Sequence, residues 1–208
     1  MLLASGTQLL CETRGMAWKW QWVTSTVRAV FDNCRNLDKV RNALDRGFPL
    51  TATDQEHGNT LLHFVALYSS VHALVPRMLA AGWDPNARNT GGYTPVHWAC
   101  ASGKVHIVQA LVAAGGRLDA EGNDGQTPLF SAGALNMGTA SENCALFEWL
   151  GARPEVDFGH KTIYGRTVLD KAAHSRHRAV LLRLSATHAR WTPLRAAFVG
   201  AVAVAVIS

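Results

Sequence analysis

Residues 94–115 read TPVHWACASGKVHIVQALVAAG, and this stretch decides the fold of the chain. Pro95 favours a helix start, because the first helical position does not need the N–H group that proline lacks. Small residues over 99–103 keep that first helix thin. The apolar residues of 107–112 recur at the spacing of one helix face, and Gly115 suits a left-handed helix end. The stretch therefore predicts two short antiparallel helices.

The same pattern recurs on both sides of this stretch. The threonines that open the copies are Thr60, Thr94, Thr127 and Thr167, separated by 34, 33 and 40 residues. A less regular copy over residues 26–47 has a charged outer face, which suits the end of a stack. The last interval is longer because the pattern lapses over residues 133–143. We therefore expect an irregular insertion between the two helices of the fourth copy.

Each copy resembles one ankyrin repeat, whose pattern runs Thr-Pro-Leu-His, two small residues, Gly, two apolar pairs and Gly-Ala-Asp-x-Asn over 33 residues. The resemblance covers about five repeats in residues 24–187. It implies an all-α ankyrin-repeat solenoid of stacked helix-turn-helix units with short β-hairpin fingers. Residues 1–23 form an N-terminal extension, and residues 188–208 form an apolar tail or a partial capping repeat. The family also implies that His63 and His97 hydrogen-bond within and between units.

Composition limits the classes of partner and the cellular compartment. The chain is 48% hydrophobic and carries a net charge of +5, but its Lys and Arg residues form no basic run. We therefore expect no nucleic-acid partner. The four cysteines are widely spaced and no secretory signal is evident, which favours a reducing, cytoplasmic location and leaves the nucleus or a membrane surface as alternatives. We also expect a monomer. Cys100 occupies a small buried position of the repeat, so we interpret it as a packing thiol.

The sequence shows no catalytic constellation. We find no nucleophile with a base and an orienting group, no phosphate-binding loop and no paired carboxylates. His174 and His177 share one helix face, but a zinc site needs about four ligands. The sequence therefore predicts a protein that is not an enzyme and that holds no cofactor or metal.

The concave groove is the surface with which the family binds other proteins, so the resemblance implies a non-catalytic adaptor. Tyr68 and Tyr93 are the expected anchors, because aromatic side chains dominate binding hot spots. Trp98 replaces a leucine that is usually buried, and we expect it in the core. The groove positions implied by the family are Gln55, Glu56, Asn59, Leu67, Tyr68, Thr90, Tyr93, Ala101, Ser102, Asn123, Asp124, Gln126, Ala134, Leu135, Arg166, His174 and Ser175.

The two ends of the chain leave alternatives open. Trp18, Trp20 and Trp22 alternate with polar residues, as in an extended segment. They either cover the open end of the stack, which we favour, or bind a ligand. Residues 196–208 are uncharged and either cap the solenoid or anchor it to a membrane. We favour the cap, because 13 residues of helix span only about 20 Å of a hydrocarbon layer of about 30 Å.

Overall fold

The computed structural model describes residues 27–135, 139–172 and 177–187. Within these ranges every regular element is a helix, which confirms the all-α prediction. The first helices of the five units are α1 (27–32), α3 (Leu61–Leu67), α5 (Pro95–Ser102), α7 (Pro128–Leu135) and α9 (Val168–Lys171). The second helices are α2 (Leu37–Asp45), α4 (Val75–Ala80), α6 (Val105–Ala113), α8 (Ala140–Gly151) and α10 (178–187).

The helices form two layers. In the first layer α5 packs between α3 and α7, and α7 packs against α9. In the second layer α6 packs between α4 and α8. Gly115 follows α6 with φ of 92°, the left-handed conformation that the sequence predicts for it. None of the helices in the described ranges has the length and hydropathy needed to span a bilayer.

One continuous core runs through all five units. Core residues with no exposed surface come from every unit and pack into a single cluster. Examples are Val40, Leu61, Val96, Leu111, Leu146 and Leu181. Cys100 is also fully buried there, and burial raises the pKa of its thiol. A single two-helix unit cannot bury both of its apolar faces, so each unit depends on its neighbours for stability.

Unit 2 departs from the regular two-helix pattern. A 3-10 segment, Ser69–Leu74, precedes α4, and Pro76 lies in the first turn of α4. Because proline cannot donate the backbone hydrogen bond of a helix interior, a regular helix cannot continue through this position from Ser69.

In unit 4 the structure differs from the irregular insertion that we expected over residues 133–143. The residues from Gly133 to Leu135 complete α7, and α8 begins at Ala140. Thr139 and Glu142 form a capping box at its start, in which each side chain binds the other's backbone N–H. Lys104 of unit 3 bonds to Glu142, and this hydrogen bond lowers the pKa of that carboxyl. Three of the seven extra residues therefore lengthen α8, which has twelve residues against nine in α6.

The connections between units also differ from the expected β-hairpins. We call them finger 2 (54–59), finger 3 (89–93), finger 4 (122–126) and finger 5 (162–166). Each is a tight turn closed by hydrogen bonds between its two ends. Among the described residues the single β-bridge joins Thr53 to Thr60. The fingers are too short for a ladder of their own, and a backbone hydrogen bond joins each finger to the next.

Two buried histidines, one in α3 and one in α5, each connect the start of their own helix to the following finger. His63 Nδ1 accepts a hydrogen bond from the Thr60 backbone N–H at 3.1 Å, so its Nε2–H donates to the Tyr93 carbonyl at 3.0 Å. His97 repeats this arrangement with the Thr94 N–H at 3.1 Å and the Gln126 carbonyl at 3.1 Å. Both rings are therefore neutral, with both nitrogens bonded.

Replacing His97 tests this role. The variant His97→Ala leaves the Thr94 N–H without its partner and removes one of the two hydrogen bonds to the Gln126 carbonyl, so we expect the free energy of unfolding to fall by about 1–3 kcal/mol. His57→Ala is the matched control, because the His57 side chain is mostly exposed. Urea unfolding of both variants measures the difference. Equal losses would show that His97 does not join the units.

The same histidines make the fold sensitive to acid. Burial lowers the pKa of His63 and His97 to about 4, against 6.5 in the unfolded chain. Between these values the unfolded state binds more protons than the folded state, so stability falls as pH decreases from about 6.5 towards 4. Burial also lowers the pKa of His72, which adds to this effect. We expect Tm to decrease across this range, with a shallower decrease in His97→Ala. A wild-type Tm that stays constant would contradict this expectation.

Candidate functional site

The four fingers form one continuous row. In each of fingers 3, 4 and 5, the residue four positions before the opening threonine donates its backbone N–H to the preceding finger. These bonds run from Thr90 to the His57 carbonyl at 2.9 Å, from Asn123 to the Gly91 carbonyl at 2.8 Å, and from Ile163 to the Asp124 carbonyl at 3.0 Å. The row therefore presents its tips at a constant spacing set by the backbone.

Tyr93 joins finger 3 to finger 4. Its hydroxyl donates a hydrogen bond to the Asp124 carboxylate at 2.6 Å, and Gln126 donates to the same carboxylate at 2.5 Å. The ring lies between Gly91 and Gly122, where an added Cβ would approach it to 2.9 Å or less. Burial, and then Asp124, raises the pKa of the Tyr93 phenol. Tyr93 is thus half-buried and already has an internal partner.

Tyr68 also has internal partners. Its ring stacks on Phe64 with 6.3 Å between centroids, and the Arg35 guanidinium lies 4.3 Å above it. Arg35 also donates a hydrogen bond to the Tyr68 hydroxyl at 3.2 Å. Tyr68 is only half-buried, so part of the ring remains available to a partner.

The prediction that Trp98 belongs to the core was wrong. It is partly exposed, and its ring meets His63 and Phe64 edge-on at centroid distances of 5.7 and 5.4 Å. Phe64 in turn contacts Phe31 at 5.7 Å. An aromatic row, Phe31–Phe64–Trp98, therefore crosses the first helices of units 1 to 3. The indole is larger than the usual leucine, so the packing of α3 and α5 leaves part of it uncovered.

The predicted groove residues fall into four groups. Exposed side chains belong to Gln55, Glu56, Thr90, Asn123 and Arg166. Half-buried side chains belong to Leu67, Tyr68, Tyr93, Asp124, Gln126 and Ala134. The buried group contains Asn59, Ala101 and Ser102, which are 2%, 2% and 5% exposed. His174, Ser175 and the side chain of Leu135 lie outside the described residues.

For the buried group the predicted position in the groove was wrong, because these residues have almost no surface that a partner could contact. Asn59 donates to the Asp54 carboxylate at 2.7 Å and accepts from the Asn89 amide at 2.8 Å, so it holds two fingers together. Ala101 and Ser102 end α5, which is covered by helices on both sides, and the Ser102 hydroxyl bonds to the Ala99 carbonyl.

Sequence reasoning missed the most exposed large hydrophobic residues of the described chain. Ile163 and Tyr164, at the tip of finger 5, are 67% and 72% exposed. Counting four residues back from Thr167 would have found Ile163, since it matches Thr90 and Asn123 in the other units. A second missed residue is His160, whose Nε2 bonds to the Gly125 carbonyl at 2.8 Å.

A stack of two-helix units joined by a row of turns defines a helical repeat protein. The family model for ankyrin repeats in three copies matches residues 62–147. The chain is an ankyrin repeat protein, with units 2 to 4 inside or overlapping the match. Units 1 and 5 extend the same architecture in the structure.

Several larger proteins contain a similar segment. The chain is 35% identical over 97 residues to the neurogenic locus Notch protein of Drosophila melanogaster, covering 46% of the chain and 4% of Notch. It is 38% identical over 105 residues to human neurogenic locus notch homolog protein 2, covering 50% and 4%. It is 35% identical over 132 residues to the E3 ubiquitin-protein ligase KEG of Arabidopsis thaliana, covering 63% and 8%. The chain thus spans less than a tenth of each of these relatives.

Removing the Tyr93 hydroxyl tests whether this residue connects the fingers. We expect Tyr93→Phe to lower the free energy of unfolding by about 1.5–3 kcal/mol, the usual net contribution of a hydrogen bond to a charged group. Tyr164→Phe is the matched control, because its largely exposed hydroxyl should matter by less than about 0.5 kcal/mol. Chemical denaturation of the two variants gives both values. A neutral Tyr93→Phe would mean that the bond to Asp124 does not stabilise the row.

Proposed function

We propose that the chain is a non-catalytic module that binds a protein partner along the finger row and the exposed ends of the first helices. Ankyrin repeats are generally protein–protein interaction modules. The observation that carries the proposal is the pair Ile163 and Tyr164 at the tip of finger 5. Adjacent large hydrophobic side chains with most of their surface in water mark an interaction site.

Packing within the fold does not explain why residue 163 has an apolar side chain. At the equivalent positions, Thr90 Oγ1 and the Asn123 amide each donate a second hydrogen bond to the preceding finger. An isoleucine side chain cannot make such a bond, and finger 5 is held by the backbone bond from Ile163 alone at this position. The apolar side chain is therefore available for a partner.

The charges along the row favour one direction for a bound segment. Glu56 is exposed on finger 2, whereas Lys161 and Arg166 are exposed beside Ile163 and Tyr164 on finger 5. Opposite charges on the two surfaces steer and orient association. We infer that the partner places apolar and acidic side chains against finger 5 and a more basic stretch towards finger 2.

The titratable side chains of the stack are better suited to structure than to catalysis. Both ring nitrogens of His63 and of His97 are bonded within the protein, so neither ring can accept a substrate proton. The described cysteines are free thiols, and Cys34 and Cys100 are buried. Free thiols fit the reducing, cytoplasmic location that we propose from the sequence.

Substitution of the fingertip tests the proposal. In affinity capture from cells that express the chain, proteins retained by the wild type and lost by Ile163→Ser/Tyr164→Ser are the candidate partners. Once one is purified, we expect the double variant to weaken binding about 30-fold, because the loss of a hot spot costs about 2 kcal/mol or more. Calorimetric titration measures this change.

Leu182→Ser is the matched control, since Leu182 is an exposed hydrophobic residue on α10 with 44% of its surface in water. We expect it to bind like the wild type, and both variants to keep the wild-type Tm. Equal retention of every captured protein by the fingertip variant and the wild type would contradict the proposed surface.

A further inference from the structure

An apolar groove lies at the outer side of unit 1, where the stack begins. It encloses about 510 Å³ between α1, α2 and the turn that follows α2. Its walls include Val27 and Val30 of α1, Ala43 of α2, and Phe48. A cavity of this volume is in the range that holds a drug-sized ligand or a few aromatic side chains.

The groove faces away from unit 2. Its lining includes Lys39, Asn42 and Ala43 of α2 and Arg46 directly after this helix, which recur at the spacing of one helix face. Asp45 points to another side of the same helix, where it pairs with Arg77 of unit 2 at 2.5 Å. In the middle of the stack, α6 has a neighbouring helix on both sides. Among the described residues no element occupies the corresponding outer side of α2.

The chain itself supplies a matching segment directly before the groove. Trp18, Trp20 and Trp22 precede Val27, which is a groove wall. In an extended segment alternate side chains share one face, so the three indoles would point one way and Lys19 and Gln21 the other. Five residues reach at most about 18 Å, which exceeds the length of about 13 Å of the nine-residue helix α2. The segment can therefore run along the whole groove.

The charges at the groove suit aromatic occupants. Lys39 lies near the start of α2 and Arg46 directly after its end, both on the lining face, and the side chain of Arg46 is exposed. Lys39 is held in place by a hydrogen bond to Asn33 Oδ1 at 2.6 Å. Cations bind favourably over the faces of indole rings, and tryptophan is the aromatic residue that binds them best.

We propose that residues 18–22, which lie outside the described residues, bind in extended form along this groove and take the place of a preceding repeat unit. The tryptophans cover the apolar wall, while Lys19 and Gln21 face the solvent. The inference does not depend on the proposed function, because the groove lies on unit 1 and the binding row on fingers 2 to 5.

Photo-cross-linking within the full chain tests the proposal. The photoreactive residue p-benzoylphenylalanine replaces Trp20, and mass spectrometry maps the cross-link after irradiation of dilute protein. We expect cross-links within one chain to residues 27–49. Cross-links to units 2 to 5, cross-links between two chains, or none at all would overturn the proposal.

A filled groove provides the second measurement. Ala43→Leu places additional side-chain volume in the groove while keeping a strong helix former, so we expect the cross-link yield to fall about ten-fold. Arg41→Leu is the matched control, because Arg41 is an exposed residue of α2 that does not line the groove. Circular dichroism confirms that both variants fold. Equal yields in the two variants would contradict the assignment of the groove.

Discussion

The structure depends on one bond pattern, in which a buried histidine joins the start of its own helix to the turn that follows. His63 and His97 each accept from a threonine N–H and donate to a carbonyl about thirty residues later in the chain. This satisfies a helix-start donor that has no partner within the helix, and it gives a finger carbonyl a second hydrogen bond beside the one that closes its own turn. Local helix formation and long-range stacking are thereby coupled through one neutral ring.

The regularity of this pattern also explains where the candidate binding surface lies. Each finger uses backbone groups to close its own turn and to bond to a neighbouring finger, so the side chains distinguish one fingertip from another. Thr90 and Asn123 use their side chains to strengthen the row. Ile163 and Tyr164 do not, and their apolar surfaces remain in water. The structural fingertips and the proposed binding fingertip therefore share the same backbone bond and differ in the chemistry of their side chains.

The repeated residue pattern was sufficient to predict the helices and their stacking, and the resemblance to ankyrin repeats implied the role of His97, because each depends on residues within one unit and its neighbour. Burial at the groove was harder to predict, since it depends on neighbours that differ between units. Asn59 bonds to Asn89, and Ser102 lies at the end of a helix covered on both sides. The groove positions that the family implies were therefore wrong for these two residues. The early start of α8 was readable from Thr139 and Glu142, whose spacing is that of a capping box.

The tautomers of the two stacking histidines test the central claim most directly. Two-bond proton–nitrogen NMR spectra of the imidazole rings distinguish a protonated Nε2 from a protonated Nδ1. The account predicts that His63 and His97 remain neutral at about pH 5.5 and carry their proton on Nε2, because their pKa values lie near 4. A charged ring at that pH, or a proton on Nδ1 in the folded protein, would contradict it.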